Sequence, residues 1–162
     1  MYDLTSLGQA VGTLLKERKQ TIAVAESSAG GLISAALVAV PGASAYFVGG
    51  GVIYTLEARR SLLSLSDDAF EGIRASTEQY ALRMAQGVKD FVGTTWGLSE
   101  TGASGPTGNR YGDEAGHACI AVAGPVEQTI TIETRHSNRE ANMWTFTNAA
   151  LELLEMNLRR TQ

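Results

Sequence analysis

Thr21-Ile22-Ala23-Val24-Ala25-Glu26-Ser27-Ser28-Ala29-Gly30-Gly31 is the stretch whose reading decides the fold. Thr21–Ala25 is a short apolar run rich in β-branched residues, the pattern of a buried strand. It passes directly into small residues and two glycines. Leu32–Val40 then reads as a helix, stopped by Pro41-Gly42. Strand, Gly/Ser turn and helix in succession form the repeating unit of an α/β sheet, and ligands in open sheets of that kind lie at the carboxyl ends of the strands.

Working outward, Leu4, Leu7, Val11, Leu14 and Leu15 recur at helical spacing, with cations among Lys16–Lys19 at the helix's negative end. Tyr46–Thr55 reads as a strand, with a bulge or a close backbone approach at Gly49-Gly50-Gly51. Leu56–Leu65 is a charged helix. Ser76 with Gln79 forms a capping box that opens a helix through about Phe91. Thr94–Ser99 is the next strand, followed by a second small-residue turn, Thr101-Gly102-Ala103-Ser104-Gly105-Pro106, and a polar loop to His117. Ala118–Ala123 and Thr129–Thr134 read as a hairpin turning at Gly124-Pro125. Ser137 or Asn138 caps a last helix to about Arg160. The expected architecture is one α/β domain over residues 1–162, a three-layer α/β/α sandwich with a mixed sheet of about five strands.

Composition narrows the function classes. A chain of 162 residues with 44% hydrophobic content can bury a core without covalent staples. The formal net charge of −4 argues against nucleic acid or an acidic membrane face as a partner of the whole domain. A single cysteine, Cys119, permits no internal disulfide. Met1–Ala10 carries Asp3 and no basic stretch, so it does not read as a signal peptide, and the longest apolar run, Leu32–Val40, is about half of a membrane span. These features point to a cytoplasmic protein.

The two turns are the expected functional surface. Glycines let a backbone approach a ligand, and free N–H groups at a strand-to-helix turn favour an anion such as phosphate. The same residues also suit a tight turn with a serine cap. The second turn is neither a P-loop, since no Lys-Ser or Lys-Thr follows its glycines, nor a dinucleotide fingerprint. Two such turns in one domain point to a pocket for a phosphorylated ligand. Ser44, between helix and strand, is a nucleophile candidate if a neighbouring base takes its proton; spacing alone makes it a turn residue. His117 and Cys119 alternate along a strand and share a face, a pattern that fits a buried structural cysteine better than a reactive pair. The spacing of His117 and His136 argues against a metal site.

Four segments together resemble the C-terminal domain of the CinA competence/damage-inducible family. They are Ala25–Gly31 (family A-E-S-C-T-G-G), Pro41-Gly42-Ala43-Ser44-Ala45-Tyr46-Phe47 (P-G-S-S-A-x-F), Gly51-Val52-Ile53-Tyr54 (G-F-V-T-Y) and Thr101–Pro106 (T-G-I-A-G-P). The resemblance implies a three-layer α/β/α fold. It also implies nicotinamide mononucleotide deamidase activity, the hydrolysis of a carboxamide to nicotinate mononucleotide and ammonia, with no metal and no organic cofactor. The family's serine, tyrosine and lysine fall on Ser44, Tyr54 and Arg59. The two turns would hold the ligand through Ser27, Gly30, Gly31, Thr101 and Ser104, with Glu26, Gly102 and Gly105 beside them and Arg139 from the last helix. The expected partner is a small phosphorylated ligand, a mononucleotide; a homo-oligomer is left open. The nucleotide-processing domain of longer CinA proteins has no counterpart in these residues, so its activity is not carried over.

The departures fall on reactive groups. Arg59 stands in the lysine position, and arginine keeps its proton, so it serves as a clamp and not as a base. Ala29 replaces the family threonine, and the last helix keeps the family's first arginine, Arg139, and loses the second. Three readings follow: an amidohydrolase of the nicotinamide mononucleotide type with weakened or lost activity, a catalytically inactive nucleotide-binding module of the same fold, or hydrolysis of a different amide or ester on a related ligand.

Overall fold

The run that opens the sequence reading forms the second strand of a five-stranded sheet in the computed structural model, which describes residues 2–161. In chain order the elements are α1 (Leu4–Arg18), β1 (Ile22–Glu26), α2 (Leu32–Val38), β2 (Phe47–Val52), α3 (Leu56–Leu63), α4 (Glu78–Val92), β3 (Trp96–Ala103), β4 (His117–Ala123), β5 (Gln128–Glu133) and α5 (Arg139–Arg160). The strand order is β2-β1-β3-β4-β5. β1 pairs in parallel with β2 and with β3, while β3–β4 and β4–β5 are antiparallel, so the sheet is mixed as expected.

Alternation along the strands builds two different faces. Ile22, Val24, Trp96, Leu98, Ile120 and Val122 turn their bulk toward α1, α2 and α5, where Leu15, Ile33, Phe146 and Leu154 complete the main core. The opposite face carries Ala23, Ala25, Cys119, Ala121 and Ala123. These small residues let α4 settle close to the sheet. A Cβ on Gly97 would come within 2.0 Å of the Ala85 carbonyl oxygen, and the Ser99 hydroxyl donates to the Ala81 carbonyl. Three layers result, with α1, α2 and α5 on one side and α4 with α3 on the other.

Local detail bears out one feature of the sequence reading and departs from it at four others. β2 does carry a bulge: Ile22 pairs with Phe47 but Ala23 with Gly49, and a Cβ on Gly50 would collide with the Val24 carbonyl. α2 and α3 each stop short, at Val38 and Leu63. α4 is capped by Thr77, whose hydroxyl accepts from the Tyr80 amide at 3.2 Å. Ser76 lies outside the helix with φ 62°, and its amide donates to the Thr101 hydroxyl at 3.1 Å. β3 runs past Ser99 to Ala103, because Thr101 and Gly102 pair with Cys119 and Ala118 of β4. Thr101 and Gly102 are therefore strand residues, and the second turn begins at Ser104.

Candidate functional site

The chain leaves β1 toward β2 on one side and supplies β3 on the other, so a crevice opens where the two connections diverge. A pocket of about 490 Å³ lies there, outside the carboxyl ends of β1, β2 and β3. Ser27, Tyr54, Glu100, Thr101 and Gly102 line it from the sheet, and Asn109, Arg110 and Tyr111 line it from the long loop before β4. Tyr80 and Met84 of α4 form its apolar wall.

Of the residues expected at a site, Ser27, Tyr54, Thr101 and Gly102 meet in this pocket. Ser44 does not. It sits exposed in the short 3-10 turn Ala43–Ala45, before β2 begins, whereas Tyr54 follows the end of β2. A six-residue strand at ~3.3 Å per residue puts roughly 16 Å between those ends. Arg59 also turns away. It is 3% exposed and faces a neighbouring pocket of about 220 Å³, where its Nη2 lies 2.5 Å from Asp67 and its guanidinium stacks 4.1 Å from the Phe70 ring centroid. Its Nη1 donates to the Tyr80 hydroxyl at 3.4 Å. Two serines share a pocket with Tyr54: Ser27, which the sequence reading placed at the site, and the buried Ser76.

The first turn is built by two carboxylates. Glu26, fully buried, accepts from the amides of Gly31 at 2.9 Å, Ile33 at 3.0 Å and Ser34 at 2.9 Å, and from the Ser34 hydroxyl at 2.7 Å. It serves as the cap of α2, because the residue at the cap position, Gly31 with φ 103°, has no side chain to offer. Glu100 reaches across from β3 and accepts from the amides of Ser27 at 3.1 Å and Ala29 at 2.7 Å, and from the Ser28 hydroxyl. The Gly30 amide closes onto the Ser27 carbonyl at 3.0 Å. The expectation that this turn offers free N–H groups to a phosphate fails for that reason: the protein's own carboxylates take them.

The remaining expected contacts are structural in this arrangement. Gly30 is exposed beside Met143 of α5, and Gly31 faces the Val52 side chain. The Ser104 carbonyl accepts from Asn142 at 2.8 Å, and the Gly105 carbonyl from Arg139, so the second turn is tied to the start of α5. Arg139 also donates to the Tyr54 hydroxyl at 3.1 Å and so holds that ring at the pocket's edge.

Sequence reasoning missed Glu100 and the Asn109–Tyr111 loop. Glu100 did leave a signal, a lone charge within Trp96-Gly97-Leu98-Ser99-Glu100-Thr101, which ending the strand at Ser99 concealed. Burial pushes its carboxyl up to about 7, against the pull of Ser28, Ala29 and Ser27. The loop left none. It is pinned by Asp113, which pairs with Arg74 at 2.8 Å and accepts from Asn109 at 2.8 Å. His117 and Cys119 stand behind this loop. The His117 ring meets Glu133 at 2.5 Å and the Ser76 carbonyl at 2.8 Å, and burial pushes the Cys119 thiol up, which keeps it protonated and inert.

The CinA C-terminal domain family matches residues 4–158. A CinA-like protein of Desulfosudis oleivorans is 40% identical over 154 residues, 94% of this chain and 37% of that protein. One from Synechococcus elongatus is 36% identical over 98% of the chain and 37% of that protein. The chain thus spans well under half the length of these curated relatives. Among solved structures, the competence damage-inducible protein A of Klebsiella pneumoniae superposes with a TM-score of 0.90 at 25% identity, covering 99% of this chain and 100% of that one. A competence/damage inducible protein of Agrobacterium tumefaciens superposes with a TM-score of 0.87 at 26% identity, covering 98% and 97%.

Proposed function

This chain belongs to the CinA C-terminal domain family, and on that footing we propose that it binds a pyridine mononucleotide in the pocket between β1, β2 and β3 while hydrolysing its carboxamide weakly or not at all. The carrying observation is the separation of the three expected catalytic groups: Ser44 lies beyond the far end of β2, and Arg59 is locked onto Asp67 and Phe70. Ser27 and Ser76 share the pocket with Tyr54, so an attack on a bound amide falls to one of these serines. Among the described residues, neither lysine nor histidine lines that pocket to take its proton. Glu100 is the one carboxyl there, and three donors already occupy it.

Binding has better support than turnover. The pocket's volume suits a drug-sized ligand. Tyr54, Tyr80 and Tyr111 offer ring faces, and Arg110 offers an exposed guanidinium for a phosphate. Calorimetric titration of the purified protein with nicotinamide mononucleotide tests the reading. A dissociation constant in the micromolar range, weakened about tenfold or more in Tyr54→Ala, is expected. No heat at millimolar ligand sinks it.

A further inference from the structure

Glu100 is 2% exposed, yet it belongs to the pocket wall. Two amides and a hydroxyl converge on its carboxylate, at 3.1 Å from Ser27, 2.7 Å from Ala29, and from the Ser28 side chain. Donors converging in this way are what a turn before a helix presents to a phosphate or carboxylate from outside. Here the seat is filled from within. Glu26 fills the adjoining one, so that the amides of Ser27, Ala29, Gly31, Ile33 and Ser34 all end on the chain's own carboxylates. A second anion brought to this turn meets engaged donors, and it meets the Glu100 charge in a site of low dielectric.

The same pocket also carries the opposite sign. Arg110 lines it and is exposed, with its guanidinium 5.0 Å from the Tyr111 ring centroid, and Arg74 lies 5.1 Å from that centroid. Arg74 is paired with Asp113, but Arg110 makes no ion pair among the described residues and is exposed. One pocket therefore carries a carboxyl at its floor and a free cation at its rim.

We propose that Glu100 sets the polarity of the bound ligand: the group seated against Ser27 and Glu100 is a cation or a neutral hydrogen-bond donor, and the anionic group lies at Arg110. The inference rests on the pocket being the ligand site proposed above and adds the direction in which the ligand enters. A nicotinamide nucleotide satisfies it with its cationic ring and carboxamide inward and its phosphate outward. The same ring carrying a carboxylate in place of the carboxamide is disfavoured, because two carboxylates then share the floor. Burial that pushes Glu100 up to about 7 fits this role, since an incoming cation draws the group into its charged form at neutral pH.

Amide-resolved NMR titrations of the full chain test the polarity. Inorganic phosphate is the first probe; nicotinamide and nicotinate mononucleotides are the second pair. In the wild type, phosphate is expected to move the resonances of Arg110 and Tyr111 and to leave those of Ser27 and Ala29 in place. In Glu100→Ala the two turn amides become free and respond to phosphate. Glu100→Gln removes the charge, keeps an oxygen for the Ser27 and Ala29 amides and turns the Ser28 hydroxyl from donor to acceptor, and it covers the case in which the alanine variant fails to fold. Its preference for the nicotinamide over the nicotinate nucleotide should fall about tenfold. Phosphate shifting Ser27 and Ala29 in the wild type overturns the proposal, as does an unchanged preference in Glu100→Gln. Failure of both nucleotides to bind the wild type removes the pyridine-nucleotide reading, and the phosphate arm still decides whether Glu100 fills the anion seat.

Discussion

Arg59 shows how much a single side chain decides. Its charge is held in a slot between Phe70, Tyr80 and Asp67, and a planar guanidinium suits that slot because one face stacks while the edges donate. Arg59→Lys retains the charge and loses the stacked face. It is expected to lower the melting temperature by about 2–6 °C, corresponding to roughly 1–1.5 kcal/mol for a domain of this size. It should bring no ammonia release from nicotinamide mononucleotide, and a gain of activity in that variant would contradict the placement of residue 59. Glu26 is the more severe case. Glu26→Ala strands four buried or half-buried donors, and a loss of about 3 kcal/mol or more is expected in urea denaturation, with Glu26→Gln retaining part of it. His117 adds a pH dependence. Both ring nitrogens face acceptors, so the imidazolium form satisfies both. Burial opposes that charge, but Glu133, the Ser76 carbonyl and Asp113 outweigh it and raise the pKa above its ordinary value of 6.5. The resulting stability is present below pH 6.5 and is lost as pH rises through the raised pKa. Glu100, raised from 4.5 to about 7, loses its contribution in the same direction between those values. The denaturation midpoint should therefore fall from pH 5 to pH 8. His117→Gln should flatten the upper part of that fall, and Glu100→Gln the lower; a midpoint that rises over this range would contradict both assignments.

At the scale of elements, α4 lies hard against the sheet at Gly97. Gly97→Ala would drive a methyl into the Ala85 carbonyl and push the helix off β3, an overpacking cost of about 1–3 kcal/mol measurable by thermal unfolding. A variant as stable as the wild type would show that α4 has room to move. Thr77→Ala should cost about 1 kcal/mol as the loss of a helix cap. Ser76 was the cap expected from the capping-box pattern. The pattern was one residue out, because Ser76 is held at positive φ by its bond to Thr101, a contact between elements that spacing cannot reveal. The element order, the hairpin and the mixed sheet were all legible, since apolar periodicity and Gly/Pro punctuation record them directly. The end of β3 was not, because Thr101, Gly102 and Ala103 carry the small side chains of a turn and are made a strand by pairing with β4. The site was legible in part. Small residues marked Ser27, Thr101 and Gly102 as pocket walls, but sequence distance between Ser44 and Tyr54 said nothing of the strand that keeps them apart.

The whole molecule keeps the family fold. Parallel β1, β2 and β3 open a crevice at their carboxyl ends, as the first turn suggested, yet that turn is closed on itself by Glu26 and Glu100. Tyr54 stands at the edge under Arg139, Arg59 is turned aside, and Arg110 brings a positive charge from a loop. On the function proposed above, such a pocket holds a nucleotide and activates no nucleophile. Ammonia release by the purified protein incubated with nicotinamide mononucleotide tests that most directly. Turnover far below about 1 per second is predicted, with binding retained; turnover on the order of 1 per second or faster would contradict it.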